Sequence, residues 1–171
     1  MLTDLDCYRH RFDHLHPWAL DLVQDLPVEA LNWRPFETGG QIEANSLAVL
    51  TAHIAGTEHF WMAEVVDRQP ATRNRQAEFA YRAGNADEMV QMLNKTALET
   101  CDVLARLSVA DLDDVRMVDG REVYVRWAIT QAIEHTALHF GHMQMTYQMF
   151  QQGRCKPTPF WYAYLPSSHV Q

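Results

Sequence analysis

The sequence predicts an all-α protein, a four-helix bundle with a small hairpin or extended excursion between helices three and four. Three observations carry this. Four long segments repeat apolar residues at three- and four-residue steps, Pro and Gly clusters punctuate the intervals, and one short β-prone stretch surrounds Asp119-Gly120.

The first helix covers 2–26, with Leu5, Phe12, Leu15, Ala19, Leu22 and Leu26 on one stripe. Pro17 within it implies a kink or a break near His16. The interval 26–45 carries several Pro and Gly residues and reads as a loop. A second helix opens at Asn45 or Ser46, both good N-cap types, and runs to about Asp67. Its apolar arc is wide enough to require burial on more than one side. "DRQPATRNRQ" (67–76) reads as a solvated loop. The third helix, 85–107, turns Met89, Leu93, Ala97, Cys101 and Leu104 inward. In "VRMVDGREVYV" (115–125) two β-prone runs flank Asp-Gly, the strongest short hairpin signal. The fourth helix covers roughly 126–152 and stops at Gly153. The aromatic tail, with Phe160, Trp161, Tyr162 and Tyr164, is expected to pack back on the body.

The 171 residues suit one domain, 1–171, able to bury a core without staples. At 47% hydrophobic and 21% charged, the chain has a globular rather than a disordered composition. A formal charge of −8 with dispersed Lys and Arg argues against a nucleic-acid partner. No apolar run is long enough to span a bilayer, so no membrane partner is expected. The N-terminus lacks an apolar signal core, and Cys7, Cys101 and Cys155 form no CxxC, which suits a reducing cytoplasm.

The chemistry gathers in "EHTALHFGH" (134–142). At about 100° per residue, His139 lies near +40° and His142 near −20° from His135, so all three share the inward stripe. One inward histidine is ordinarily a hydrogen-bonded core residue. Two at i and i+4 are a usual helical way to offer two nitrogens to one ion, and a metal offsets the cost of burying them. His142 lies about 10 Å along the axis from His135, too far to share a small ion easily, and suits a flanking role.

A third ligand must come from a facing helix, with His10, His14, His16, His53 and His59 as the choices. His10 and His14 fall on the solvent face, and His16 sits beside Pro17. Periodicity prefers His53, with small neighbours Ala52 and Gly56, only modestly. Glu58 falls on the apolar stripe of helix two. It is a candidate to orient an imidazole or act as a base, or else an ion-pair partner for an arginine.

These residues resemble the DinB-like (YfiT-like) superfamily of damage-inducible and thiol-transferase bundles. The resemblance lies in "NSLAVLTAHIAGTEHFW" (45–61), "AIEHTALHFGHMQM" (132–145) and the preceding loop "LPVEALNWRP". It implies that His53, His135 and His139 bind a divalent metal, zinc first, with nickel and others also suited to imidazole. Position 142, often glutamine in relatives, stands outside the triad. The family also implies enzymes using low-molecular-weight thiols such as bacillithiol or mycothiol as co-substrates, and frequent homodimers. The leading expectation is thus a metal-dependent thiol S-transferase acting on small electrophiles. Its rivals are a hydrolase using metal-bound water, with Glu58 as base, and a non-catalytic metal-binding stress-response protein.

Overall fold

The computed structural model describes residues 2–36 and 44–154. The aromatic tail and Cys155 lie outside the described residues. Six α-helices and one two-stranded sheet appear among those described. Thr3 and Asp6 form a reciprocal capping box that starts α1 (Asp4–Val23). Of the kink or break expected at Pro17, the break does not occur: α1 runs through it. Pro17 and Asp13, whose carbonyl loses its helical N–H partner to the proline, are both on the exposed side of the helix.

The interval read as a loop contains a short helix, α2 (Val28–Asn32), which buries Ala30 and Leu31. Ser46 accepts from the Val49 N–H and opens α3 (Leu47–His59). The chain then continues as a π-helix, Phe60–Val66. The tract expected to be solvated loop also holds structure: Asn74 caps α4 (Arg75–Ala80). α5 (Ala86–Arg106) starts at Asn85. Its inner face is Met89, Leu93, Thr96, Thr100, Val103 and Leu104, while Cys101 is exposed. The threonines tolerate burial because Thr96 bonds the Met92 carbonyl and Thr100 bonds Glu58.

The hairpin pairs β1 (Val115–Val118) with β2 (Arg121–Tyr124) in antiparallel register, Val118 opposite Arg121. Asp119 and Gly120 turn with φ of 48° and 75°, as an Asp-Gly turn requires. α6 (Val125–Phe150) follows directly, and the chain leaves its end through Gly153 at φ 90°. Among the described residues no helix is long and apolar enough to cross a membrane.

The four long helices pack in a ring in which α1 and α3 each contact both α5 and α6. Two apolar layers fill the interior. One contains Leu22, Leu47, Ile54, Met89, Leu93 and Met143, and the other contains Phe12, Met62, Val103, Leu104, Ile129 and Ala132. Along α1 and α6 the chain passes from the second layer to the first, and along α3 and α5 in the opposite sense. α1 therefore runs parallel to α6, and α3 parallel to α5.

Between the layers lies one polar level to which all four helices contribute. Glu58 of α3, 1% exposed, accepts from His16 Nε2 of α1 at 2.7 Å and from Thr100 Oγ1 of α5 at 2.6 Å. Thr136 Oγ1 of α6 reaches its other oxygen at 3.2 Å. Glu58 is thus buried as expected, but it pairs with His16 rather than with an arginine or a histidine of the triad. Removing the carboxylate would strand a buried imidazole and two hydroxyls. Glu58→Ala should cost about 3 kcal/mol, read as a lowered urea midpoint at unchanged m-value. Glu58→Gln, which keeps an acceptor, should cost clearly less.

Candidate metal centre

α3 and α6 pack against each other, which brings residue 53 opposite residue 135, and the i, i+4 step adds residue 139 to that face. The structure brings His53, His135 and His139 together, each offering a ring nitrogen, with these atoms all within 4.8 Å of one another. The Nε2 atoms of His53 and His135 are 3.1 Å apart. The His139 ring centroid lies 4.8 Å from that of His53 and 4.3 Å from that of His135. His53 is buried, whereas His135 and His139 are half-buried.

The other histidines go elsewhere. His142 is exposed and stands beside the cluster, its Nδ1 3.2 Å from Nδ1 of His139. His10 and His14 pack on each other at 4.3 Å between centroids and are half-buried rather than fully solvent-facing. His59 bonds Glu99 and Thr72. Among the described residues the imidazole that Glu58 bonds is that of His16, and its other hydrogen bonds go to Thr100 and Thr136.

The carboxylate that does touch the cluster is Glu78, on α4. Its Oε2 lies 2.8 Å from Nδ1 of His53. Arg73 grips the same carboxylate through Nε at 2.7 Å and Nη2 at 3.0 Å. Nothing in the sequence periodicity pointed to Glu78, because its helix is only six residues long. The available signal was Gly56, one turn beyond His53: a Cβ there would collide with the Glu78 carboxylate.

Burial drives the electrostatics. Desolvation, helped by the neighbouring imidazoles, pushes His135 down to about 3 and His139 down to about 4. Desolvation also lowers His53, outweighing the opposing pull of Glu78. Burial pushes Glu78 up, but hydrogen bonds from Arg73 and His53 more than offset it and hold the carboxyl below its usual range. At neutral pH the cluster is therefore three neutral imidazoles beside one ionised carboxylate.

This donor set fits a divalent ion of the zinc class. The rings are already deprotonated, so binding need displace no imidazolium proton, and three imidazoles leave a coordination position open. His135 Nδ1 is buried without a hydrogen-bond partner, a cost that no contact among the described side chains offsets.

An all-α bundle with a histidine cluster on its α3–α6 seam defines a class of helical protein with a possible metal centre. The model of the DinB superfamily matches residues 12–143, and the chain belongs to that superfamily. Three solved structures share the fold. A conserved protein from Enterococcus faecalis has 12% identity and TM-score 0.71, over 89% of this chain and 99% of that one. A DinB-like protein from Bacillus subtilis has 19% identity and TM-score 0.67, over 91% and 96%. Another, from Bacillus cereus, has 15% identity and TM-score 0.70, over 90% and 95%. No curated protein matches the sequence.

The depressed histidines carry a stability consequence for the metal-free protein. An unfolded histidine binds its proton near pH 6.5, whereas folded His135 and His139 do so near 3 and 4. Their contribution is thus fully present above about pH 6.5 and is lost progressively as pH falls towards the folded values. Metal-free protein should lose urea stability between about pH 7 and pH 4.5, and His135→Gln should flatten that dependence.

Proposed function

We propose that the protein is a divalent-metal-dependent enzyme, a low-molecular-weight-thiol S-transferase acting on small electrophiles. The observation that carries this reading is the convergence of His53, His135 and His139 on one point. A divalent ion held there would act as a Lewis acid, lowering the pKa of a thiol or water in its open position.

The chain's own residues favour the thiol. Hydrolysis needs a general base beside the attacking water, and Glu58 was the carboxylate available for that task. Its oxygens are instead engaged by His16, Thr100 and Thr136 in the bundle interior. Glu78 is engaged too, by Arg73 and by the side of His53 away from His135. A thiol that the ion has already acidified needs no such base. The position of exposed His142, its Nδ1 beside Nδ1 of His139, supports its reading as a residue flanking the ion. The reading extends to zinc as the ion and to a cytoplasmic homodimer, which suits the free thiols Cys7 and Cys101.

The test is conjugation of monobromobimane with bacillithiol or mycothiol, at matched protein and Zn²⁺ concentrations. Zn²⁺-loaded protein should accelerate it, and chelation should abolish the acceleration. The rate should persist at pH 6.5, well below the free thiol pKa of about 8.5. His139→Ala should reduce it to background, whereas Cys7→Ala and Cys101→Ala should leave it unchanged. Metal-dependent ester or amide hydrolysis without thiol conjugation would overturn the transferase reading in favour of the hydrolase. Silence in both assays, with thermal stability collapsing on chelation, would leave a structural ion.

A further inference from the structure

We infer that Glu78, clamped by Arg73 and seated over Gly56, is a positioning residue: it holds His53 in the tautomer that presents Nε2 to a divalent cation. The inference rests on reading His53, His135 and His139 as a cation site. It adds to that site Arg73, from the tract 67–76 that reads as solvated loop, Glu78 just beyond that tract, and Gly56 of α3.

An ionised carboxylate has only lone pairs to offer, so the Nδ1 that faces Glu78 Oε2 at 2.8 Å must carry the ring proton. A neutral ring with its proton on Nδ1 has its lone pair on Nε2, and Nε2 is the atom turned towards His135. Glu78 is itself fixed from two directions. Arg73 binds both of its oxygens, and the same guanidinium reaches Thr57 Oγ1 on α3 at 2.6 Å. The backbone N–H groups of Thr72 and Arg73 donate to Glu64, in the π-helical continuation of α3, so the clamp is anchored at its base as well.

Gly56 completes the arrangement. It lies one turn beyond His53 on the same face, and a Cβ there would meet Oε1 and Cδ of Glu78 at less than contact distance. A Cβ at position 56 would force the carboxylate to shift from where Arg73 and His53 hold it. A six-residue helix such as α4 has little stability of its own, and burying a carboxylate on it costs free energy unless the partners are supplied. Arg73, just ahead of α4, and His53 of α3 supply them.

The support is also unequal among the three imidazoles. Among the described residues His135 Nδ1 has no hydrogen-bond partner, and His139 Nδ1 faces the imidazole of His142. His53 is the one with a carboxylate behind it, the second-shell arrangement that fixes ring orientation and raises ligand basicity.

The experiment measures Zn²⁺ affinity by chelator competition for the wild type, Glu78→Gln, Gly56→Ala and His53→Ala, together with the imidazole ¹⁵N shifts of the metal-free wild type. Expected results are His53 protonated on Nδ1, Zn²⁺ binding weakened roughly 10- to 100-fold by Glu78→Gln, a loss in the same direction for Gly56→Ala, and a larger one for His53→Ala. Merely structural residues would not set the tautomer. If His53 is protonated on Nε2, the inference is overturned whether or not the variants fold. If His53→Ala abolishes binding while Glu78→Gln and Gly56→Ala bind Zn²⁺ as tightly as the wild type, the inference falls and the histidine site stands. If His53→Ala binds as the wild type does, the site reading itself fails and takes the inference with it.

Discussion

The rest of the structure depends on one buried carboxylate. Glu58 sits at the middle of the bundle with one hydrogen-bonding partner from each of the three other long helices. Apolar layers alone tolerate sliding, because leucine against methionine is nearly as good one turn along. A carboxylate that must find an imidazole and two hydroxyls is not tolerant: shifting any helix by a turn would leave a buried charge or hydroxyl without a partner. The polar level therefore sets the heights of all four helices at once. A single buried polar group can fix register in this way at some cost in stability.

That constraint bears directly on the candidate metal centre. Thr136, which reaches Glu58, is the immediate neighbour of His135 and lies three residues before His139. His53 lies five residues before Glu58 on α3. Once Glu58 and Thr136 are hydrogen-bonded, the α3–α6 seam has a fixed register, and the three histidines must lie at nearly one level. The cluster converges because of a hydrogen bond to which no triad histidine belongs. Pushing three imidazoles together with depressed proton affinities is unfavourable in isolation, and the core contacts around them hold the arrangement.

Much of this was legible in the sequence, and the failures have particular causes. The long helices carry enough turns for a 3.6-residue period to emerge, and Asp119-Gly120 announced the hairpin through its positive-φ requirement. His135 and His139 stood out because i, i+4 spacing is a local property. His53 was different: several histidines competed, and the family resemblance rather than periodicity chose it. Burial of Glu58 was readable from its stripe, but its partner was not, since nothing local couples residue 58 to residue 16. Cys101 was placed inward because an apolar residue at a plausible step outranks threonine, yet Thr100, with a carboxylate to bond, took the buried position. α4 was missed for want of length. Six residues in an Arg-rich tract show no period, and the contact that ties the helix to α3, Glu78 with His53, spans 25 residues that no local window covers.

α3 thus contributes one member to each of two histidine–glutamate pairs of opposite character, five residues apart along the helix. In the first, His16 with Glu58, the carboxylate is saturated by two further hydroxyls, and the pair is closed among its own partners in the interior. In the second, His53 with Glu78, the carboxylate is saturated from behind by Arg73 while the imidazole keeps a nitrogen facing two other rings. The chemistry of the side chains is the same, and the difference lies in which member is left with an open valence. A closed pair can only hold helices together. An imidazole held from one side by an arginine-clamped carboxylate has its remaining lone pair aimed at a fixed point, which a ligand to a cation requires and a structural pair does not. Gly56 marks where the chain accommodates that requirement, because a packed helix seam would otherwise favour a side chain that fills space over one that makes room for a carboxylate.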